Sequence, residues 1–135
     1  MTPEQARDSI FGVFKKVWDA QGLTAVWPDV PGSKPPSEEI AWARPTIRHA
    51  EGGQTSLSNH QGSKMWDHRG TLFIQIFIPA GQGEPGYALT RAVLAAYRTA
   101  TGSVRYTNHR FSEQGADGAF TVFLCKIDFA YDDFS

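Results

Sequence analysis

The run Thr71-Leu-Phe-Ile-Gln-Ile-Phe-Ile78 limits what this chain can fold into more than any other stretch. Gly70 precedes it and Pro79 follows it. β-branched and aromatic residues dominate the run, with apolar residues at both parities, so the pattern predicts a strand buried on both faces. Such a strand needs cover on both sides. After a Pro/Gly loop, Leu89, Ala92, Val93, Ala96, Tyr97 and Ala100 recur at helical spacing and form one apolar stripe. Pro85 suits the first turn of that helix and Gly102 the position just past its end. The second cover must come from the first helix or from another copy of the protein.

The N-terminal stretch predicts that first helix. Thr2 can cap it, Pro3 fits its first position, and Gln5 can complete a capping box. Ala6, Ile10, Val13, Phe14 and Val17 share one face, and Gly22 suits the C-terminal cap. Leu23–Trp27 reads as a short strand. The proline-rich 28–36 segment interrupts regular structure. Ile40–Arg48 reads as the next strand, with Pro45 arguing for an edge or a bulge. Residues 50–68 follow no period and predict a long arm or loop. Val104–Phe111 and Ala119–Tyr131 read as strands around a Gln114–Gly118 turn whose Asp-Gly pair is a hairpin signal. The expected fold is α+β over a single 1–135 domain: a mainly antiparallel sheet of about five strands, with two α-helices packed on it.

Composition narrows the functional classes. The 135 residues carry a net charge of −1, so there is no global basic field of the kind that attracts nucleic acid. No apolar run approaches the roughly 20 residues that span a bilayer, and no basic-then-apolar leader is visible at Met1. The one cysteine, Cys125, lies in an apolar run and reads as a core residue. His49, His60, His68 and His109 lack the spacing that places two ligands on one helix turn, so no metal or cofactor is expected. The 79–86 glycine-rich loop precedes a helix, but it lacks a Gly-Lys-Ser/Thr ending and carries Glu84; it reads as a turn. Ser58 or Ser63 with His60 or His68 and Asp67 makes a triad only on paper, because no strand–turn–helix elbow surrounds either serine. Lys64, Trp66 and Arg69 mix an aromatic with cations, which reads as a solvated loop rim. The chain is not expected to be an enzyme.

Taken in order, several segments resemble the tail terminator (tail completion) proteins of long-tailed bacteriophages and prophages of the lambda-like type. They are the N-terminal helix, Trp27-Pro-Asp, and Trp42-Ala-Arg-Pro-Thr-Ile. Next comes Arg69-Gly-Thr-Leu-Phe-Ile-Gln-Ile-Phe-Ile-Pro-Ala-Gly-Gln-Gly, leading to the helix with Leu89, Val93 and Tyr97. Val104-Arg-Tyr-Thr-Asn, Gln114-Gly-Ala-Asp-Gly-Ala-Phe and Phe129-Ala-Tyr-Asp complete the series. The resemblance implies a non-catalytic virion protein, made in the host cytoplasm and resident in the tail or neck. Copies would close a six-membered ring on the tail tube protein, end polymerisation, and present a docking surface to the head–tail connector. The free protein would be monomeric or already a ring. No sequence-specific nucleic acid and no membrane partner are implied. Expected partner or self contacts are Trp66, Asp67, His68 and Arg69 in the arm, and Asp117 and Gly118 in the turn. Asp128, Asp132 and Asp133 are expected to face the lumen through which DNA passes. The alternatives are another neck or head-completion component, or a small α+β ligand-binding domain with a pocket between sheet and helices.

Overall fold

The computed structural model describes residues 1–28, 30, 40–50, 53–54, 65–81 and 83–134. Helix α1, Pro3–Ala20, begins with the capping box that its sequence predicts. The Thr2 hydroxyl accepts from the Gln5 N–H at 3.2 Å, and Gln5 Oε1 accepts from the Thr2 N–H at 2.9 Å. Gln21 caps its C-terminus, and Gly22 follows in the left-handed region at φ 70°. Strand β1 is only Thr24–Ala25, and β2 is Trp42–His49. Then come β3, Gly53–Gln54; β4, Met65–Pro79; α2, Gly83–Thr99; β5, Arg105–Asp117; and β6, Phe120–Phe134.

The strands form one sheet in the order β1-β2-β4-β6-β5, with β3 pairing to β4 off this path. All ladders are antiparallel except β1–β2, a two-residue parallel pairing. The α+β class holds, with a mostly antiparallel sheet and two helices. Pro45 has no β1 partner beside it, since β1 pairs only with Trp42 and Ala43, so its missing N–H costs no ladder bond there.

Both helices lie on the same face of the sheet. Ala6, Ile10, Phe11, Phe14 and Trp18 of α1 share one core with Val93, Leu94 and Tyr97 of α2. Beneath them lie Leu72, Ile74, Ile76 and Ile78 of β4 and Phe123, Cys125, Ile127, Phe129 and Tyr131 of β6. These are alternate residues, as a strand's two-residue period requires. Trp27 joins the same core, edge-on to Phe11 and Phe14. Of the two sources expected for the second cover, the first helix is therefore ruled out, because α1 lies on the same side as α2. Both helices lie on that side, and the Phe73, Gln75 and Phe77 side carries no helix among the described residues.

The arm expected over residues 50–68 is shorter than its irregular composition suggested. Met65–Arg69 belong to β4, which runs through Gly70 without a break and pairs with β6 from Met65↔Phe134 to Pro79↔Phe120. A two-residue alternation is present here: Asp67 and Arg69 face one side, Trp66 and His68 the other. The uneven composition around it masks the signal. Gly53 and Gln54 pair with Asp67 and Trp66. The rest of the expected arm, 51–52 and 55–64, lies outside the described residues. Gly70 is not a strand boundary. Its missing side chain makes room for the Phe129 ring and the Arg48 carbonyl. The hairpin turn is also tighter than expected, because β5 runs on to Asp117 and β6 starts at Phe120, leaving Gly118 and Ala119 between them.

Candidate functional site

The face of the sheet opposite the helices is the candidate site. Register places Trp42, Arg44, Thr46 and Arg48 of β2 beside Phe77, Gln75, Phe73 and Thr71 of β4. Next to those lie Val122, Leu124, Lys126 and Asp128 of β6. At one end, Trp42, Phe77 and Val122 form a small second core. The Trp42 and Phe77 rings stack with centroids 4.0 Å apart and 3° between planes, and Phe120 meets both edge-on at 6.2 Å.

Arginines lie over this apolar floor. The Arg44 guanidinium sits 5.9 Å from the Trp42 ring and 5.4 Å from the Phe77 ring, and its Nε donates to Gln75 Oε1 at 3.1 Å. Arg48 sits 5.8 Å from the Phe73 ring. Thr46, Arg48, Phe73, Gln75 and Leu124 line a shallow depression between these rows. Arg44, Arg48 and Lys126 make no ion pair among the described residues. The strip is therefore cationic and aromatic, a composition suited to binding protein surfaces that carry carboxylates.

Beyond the strip, opposite charges are matched within the chain. Asp128 accepts from Thr71 Oγ1 at 3.1 Å, Asn108 Nδ2 at 3.1 Å and Arg110 Nη1 at 3.3 Å. Burial alone would raise its pKa. The hydrogen bonds from Asn108 and Thr71, with the Arg110 charge, outweigh that and hold it below the usual carboxylate value. Asp67 accepts from Arg69 Nε at 2.7 Å and lies 3.8 Å from Arg105 Nη2, whose other nitrogen, Nη1, is 3.4 Å from Asp132.

The residues named from the sequence thus fall in three places. Asp67, Arg69, Asp128 and Asp132 share the open face, joined through Arg105 and Arg110. Trp66, His68 and Asp133 lie on the helix side, where the His68 ring stacks on Tyr131 at 5.1 Å and its Nε2 is 3.4 Å from Asp133. Asp117 and Gly118 stand exposed at the β5–β6 turn, Gly118 at φ 61°. The three aspartates expected to form one acidic surface are split between the two faces, and each lies within ion-pairing distance of a neighbour.

The Trp42–Phe77–Phe120 cluster and the Arg44/Arg48/Lys126 strip were missed from the sequence. Their signal was the alternation within Trp42-Ala-Arg-Pro-Thr-Ile-Arg, where every second residue is an aromatic or a polar group of one face. His49 binds the Tyr131 hydroxyl at 2.7 Å, and burial together with nearby His68 lowers its pKa. His60 lies outside the described residues. Cys125 is fully buried, and burial pushes its thiol up to about 12. Among the described residues no group of three or more His, Cys, Asp or Glu side chains is placed to hold a metal. No helix among them is long and apolar enough to cross a membrane.

No family model and no curated protein matches the sequence. Among solved structures, one chain whose designation names no function superposes with a TM-score of 0.61 at 14% identity, covering 93% of this chain and 94% of that one. That likeness extends over nearly the whole of both chains and concerns the fold alone.

Proposed function

We propose that this protein is a structural component of virion assembly that caps a phage tail tube, ends its polymerisation and offers a surface to which the head docks. The observation that carries the reading is the sheet face that has no helix on it among the described residues. It carries exposed Arg44 and Arg48 and half-buried Lys126, without an ion pair among the described residues, over half-buried Phe73 and Leu124 and beside the buried Trp42–Phe77 stack, in a chain whose other face is already closed by two helices. Exposed cations beside a half-buried apolar strip suit a ring subunit, which has protein on several sides. The ordered resemblance of the segments to tail terminators gives the direction. Copies of the chain close a six-membered ring on the tail tube protein, and the opposite side of the ring meets the head–tail connector. The protein is made in the host cytoplasm and ends in the tail or neck of the virion. No chemical step is involved; the ring acts by matching the tube's symmetry on one side and ending it on the other.

Deleting the gene from the phage or prophage that carries it, then imaging the lysate by electron microscopy, tests this directly. Headless tails of uncontrolled length are expected. Tails of normal length joined to heads would overturn the reading.

A further inference from the structure

Strand β5 is the last strand in the sheet order, and its outer side has no partner among the described residues. It is 13 residues long, unusually long for an edge left open. Its sequence, Arg105-Tyr-Thr-Asn-His-Arg-Phe-Ser-Glu-Gln-Gly-Ala-Asp117, has a symmetry about Phe111. Basic groups occupy the first half, at Arg105, His109 and Arg110. Acidic groups occupy the second half, at Glu113 and Asp117. When two copies run antiparallel with Phe111 opposite itself, Arg105 meets Asp117 and His109 meets Glu113.

The backbone follows the same symmetry. Register with β6 shifts twice, between Thr107 and Arg110 and between Glu113 and Gly115. These irregularities flank Phe111 on both sides, so Asn108, at φ 53°, falls opposite Gln114, which precedes Gly115 at φ 85°. Side-chain facing agrees as well. Arg105 and Asp117 pair with Ala130 and Phe120, on the open face. Phe111 and Glu113 pair with Cys125 and Phe123, on the helix side. Antiparallel partners must share a face: Arg105 and Asp117 share the open one, and Phe111 opposes itself on the helix side, where His109 lines the cleft with α2 residues on the side of Glu113. Bulges ordinarily blunt an edge, but a pair of bulges placed symmetrically leaves a second copy in register with the first.

The helix side of this edge has room to receive a neighbour. A cleft of about 580 Å³ lies between α2 and β5, lined by Tyr87, Arg91, Leu94, Arg98, His109 and Phe111, among others. Phe111 is 47% exposed, edge-on to Tyr87, which itself hydrogen-bonds Glu113. His109 Nε2 is buried without a hydrogen-bond partner. Arg91 and Arg98 make no ion pair among the described residues.

We propose that a second copy of this chain adds its β5 to this edge, antiparallel and centred on Phe111, giving a two-fold dimer with one continuous sheet. The two Phe111 rings fill the mouths of the two clefts. Glu113 of each copy comes to His109 of the other, with Arg91 and Arg98 beside it. The dimer is a form of the free protein. Its closed two-fold contact differs from the head-to-tail contacts of a ring, so it stands or falls apart from the assembly role.

Sedimentation of the full-length chain over a wide concentration range tests it. The wild type is expected to be a concentration-dependent dimer. Phe111→Asp, which sets two carboxylates against each other, is expected to weaken the dimer by about tenfold or more while the melting temperature extrapolated to dilute protein stays near that of wild type. Oxidation of Phe111→Cys is expected to give a covalent dimer, because opposed Cα atoms in an antiparallel pair lie within disulfide reach. Gln114→Cys, which is not self-opposed, stays uncrosslinked under the same oxidation. Cross-linking is read from the native protein and so keeps the test sharp if Phe111→Asp fails to fold. A wild type that stays monomeric throughout overturns the proposal. So does a dimer in which Phe111→Cys fails to cross-link or Gln114→Cys cross-links equally well.

Discussion

The Tyr97 phenol donates a 2.6 Å hydrogen bond to the main-chain carbonyl of Ile10, joining α2 to the middle of α1. The contact is fully buried, and burial raises the Tyr97 pKa well above its ordinary value, so the group remains a neutral donor throughout the usual pH range. Residues 87 positions apart in the sequence meet here, and both helices share one core with Ile74 and Ile76 of β4.

Tyr97→Phe is expected to keep the ring in place and lose only the hydroxyl. The Ile10 carbonyl keeps its helical acceptor role, so the cost is about 1 kcal/mol, a fall in melting temperature of roughly 3–6 °C for a chain this size. Thermal unfolding followed by circular dichroism measures it. A loss at least twice that large would mean the hydroxyl holds the helices apart as well as together.

Gly70→Ala is expected to be far more damaging. A Cβ at Gly70 meets the Arg48 carbonyl and the Phe129 ring, and neither is the free end of a flexible chain. Gly70 pairs with His49 and with Phe129 in two ladders, so the backbone has no side on which to yield. A destabilisation of about 2–4 kcal/mol follows, in the range of other overpacked interiors and strained backbones. Urea unfolding reads it as a lower midpoint at unchanged slope.

Two groups give stability that rises with pH. The His49 pKa is lowered by burial and by His68, so the unfolded chain takes up a proton more readily than the folded one. Its contribution is present above the ordinary value of 6.5 and is lost as pH falls through it. Asp128 is depressed in the folded state, so its contribution is present above the ordinary carboxylate value of 3.8 and is lost as pH falls toward the lower folded value. The melting temperature is thus expected to fall in two stages on acidification. His49→Gln should flatten the stage near neutrality and Asp128→Asn the acidic stage. Melts from pH 3 to 8, a span of about five units around these two values, distinguish the stages.

Cys125 is expected to ignore thiol reagents while the chain is folded. It is fully buried, and a thiol pushed up to about 12 holds almost no thiolate at neutral pH. Reaction with a chromogenic disulfide should appear only after denaturant is added, at one equivalent per chain. Prompt reaction in native buffer would show that β6 opens locally.

The assembly reading makes its own demand on variants. Arg44→Glu with Arg48→Glu reverses the cationic strip without entering the helix-side core, and Trp66→Ala with Arg69→Ala removes the residues first singled out at the start of β4. Both are expected to keep the circular dichroism spectrum and to leave tails of uncontrolled length when supplied in place of the wild-type gene. Normal tails from both would remove these surfaces from the assembly contacts.

Much of the architecture is local enough to read from the chain. Thr2, Pro3 and Gln5 specify where α1 starts, because a cap is made by residues within one turn of each other. The apolar stripes of α1 and α2, the alternation of β6 and the class of the fold follow from periodicity in the same way. Cys125 as a core residue followed from its apolar neighbours. What the sequence by itself could not determine is which side of the sheet each stripe chooses. Thr71–Ile78 is apolar at both parities, so nothing local says that α1 and α2 share the Ile74 face and leave Phe73 and Phe77 to the other. The same holds for Met65–Arg69, which becomes strand only because β6 continues to Phe134 and offers it a ladder. Asp128 and Arg110, and Asp67 and Arg105, meet only because strands distant in sequence lie side by side. Local propensity is decided by neighbours along the chain. Facing, register and charge pairing are decided by neighbours in space, and only the tertiary structure supplies those.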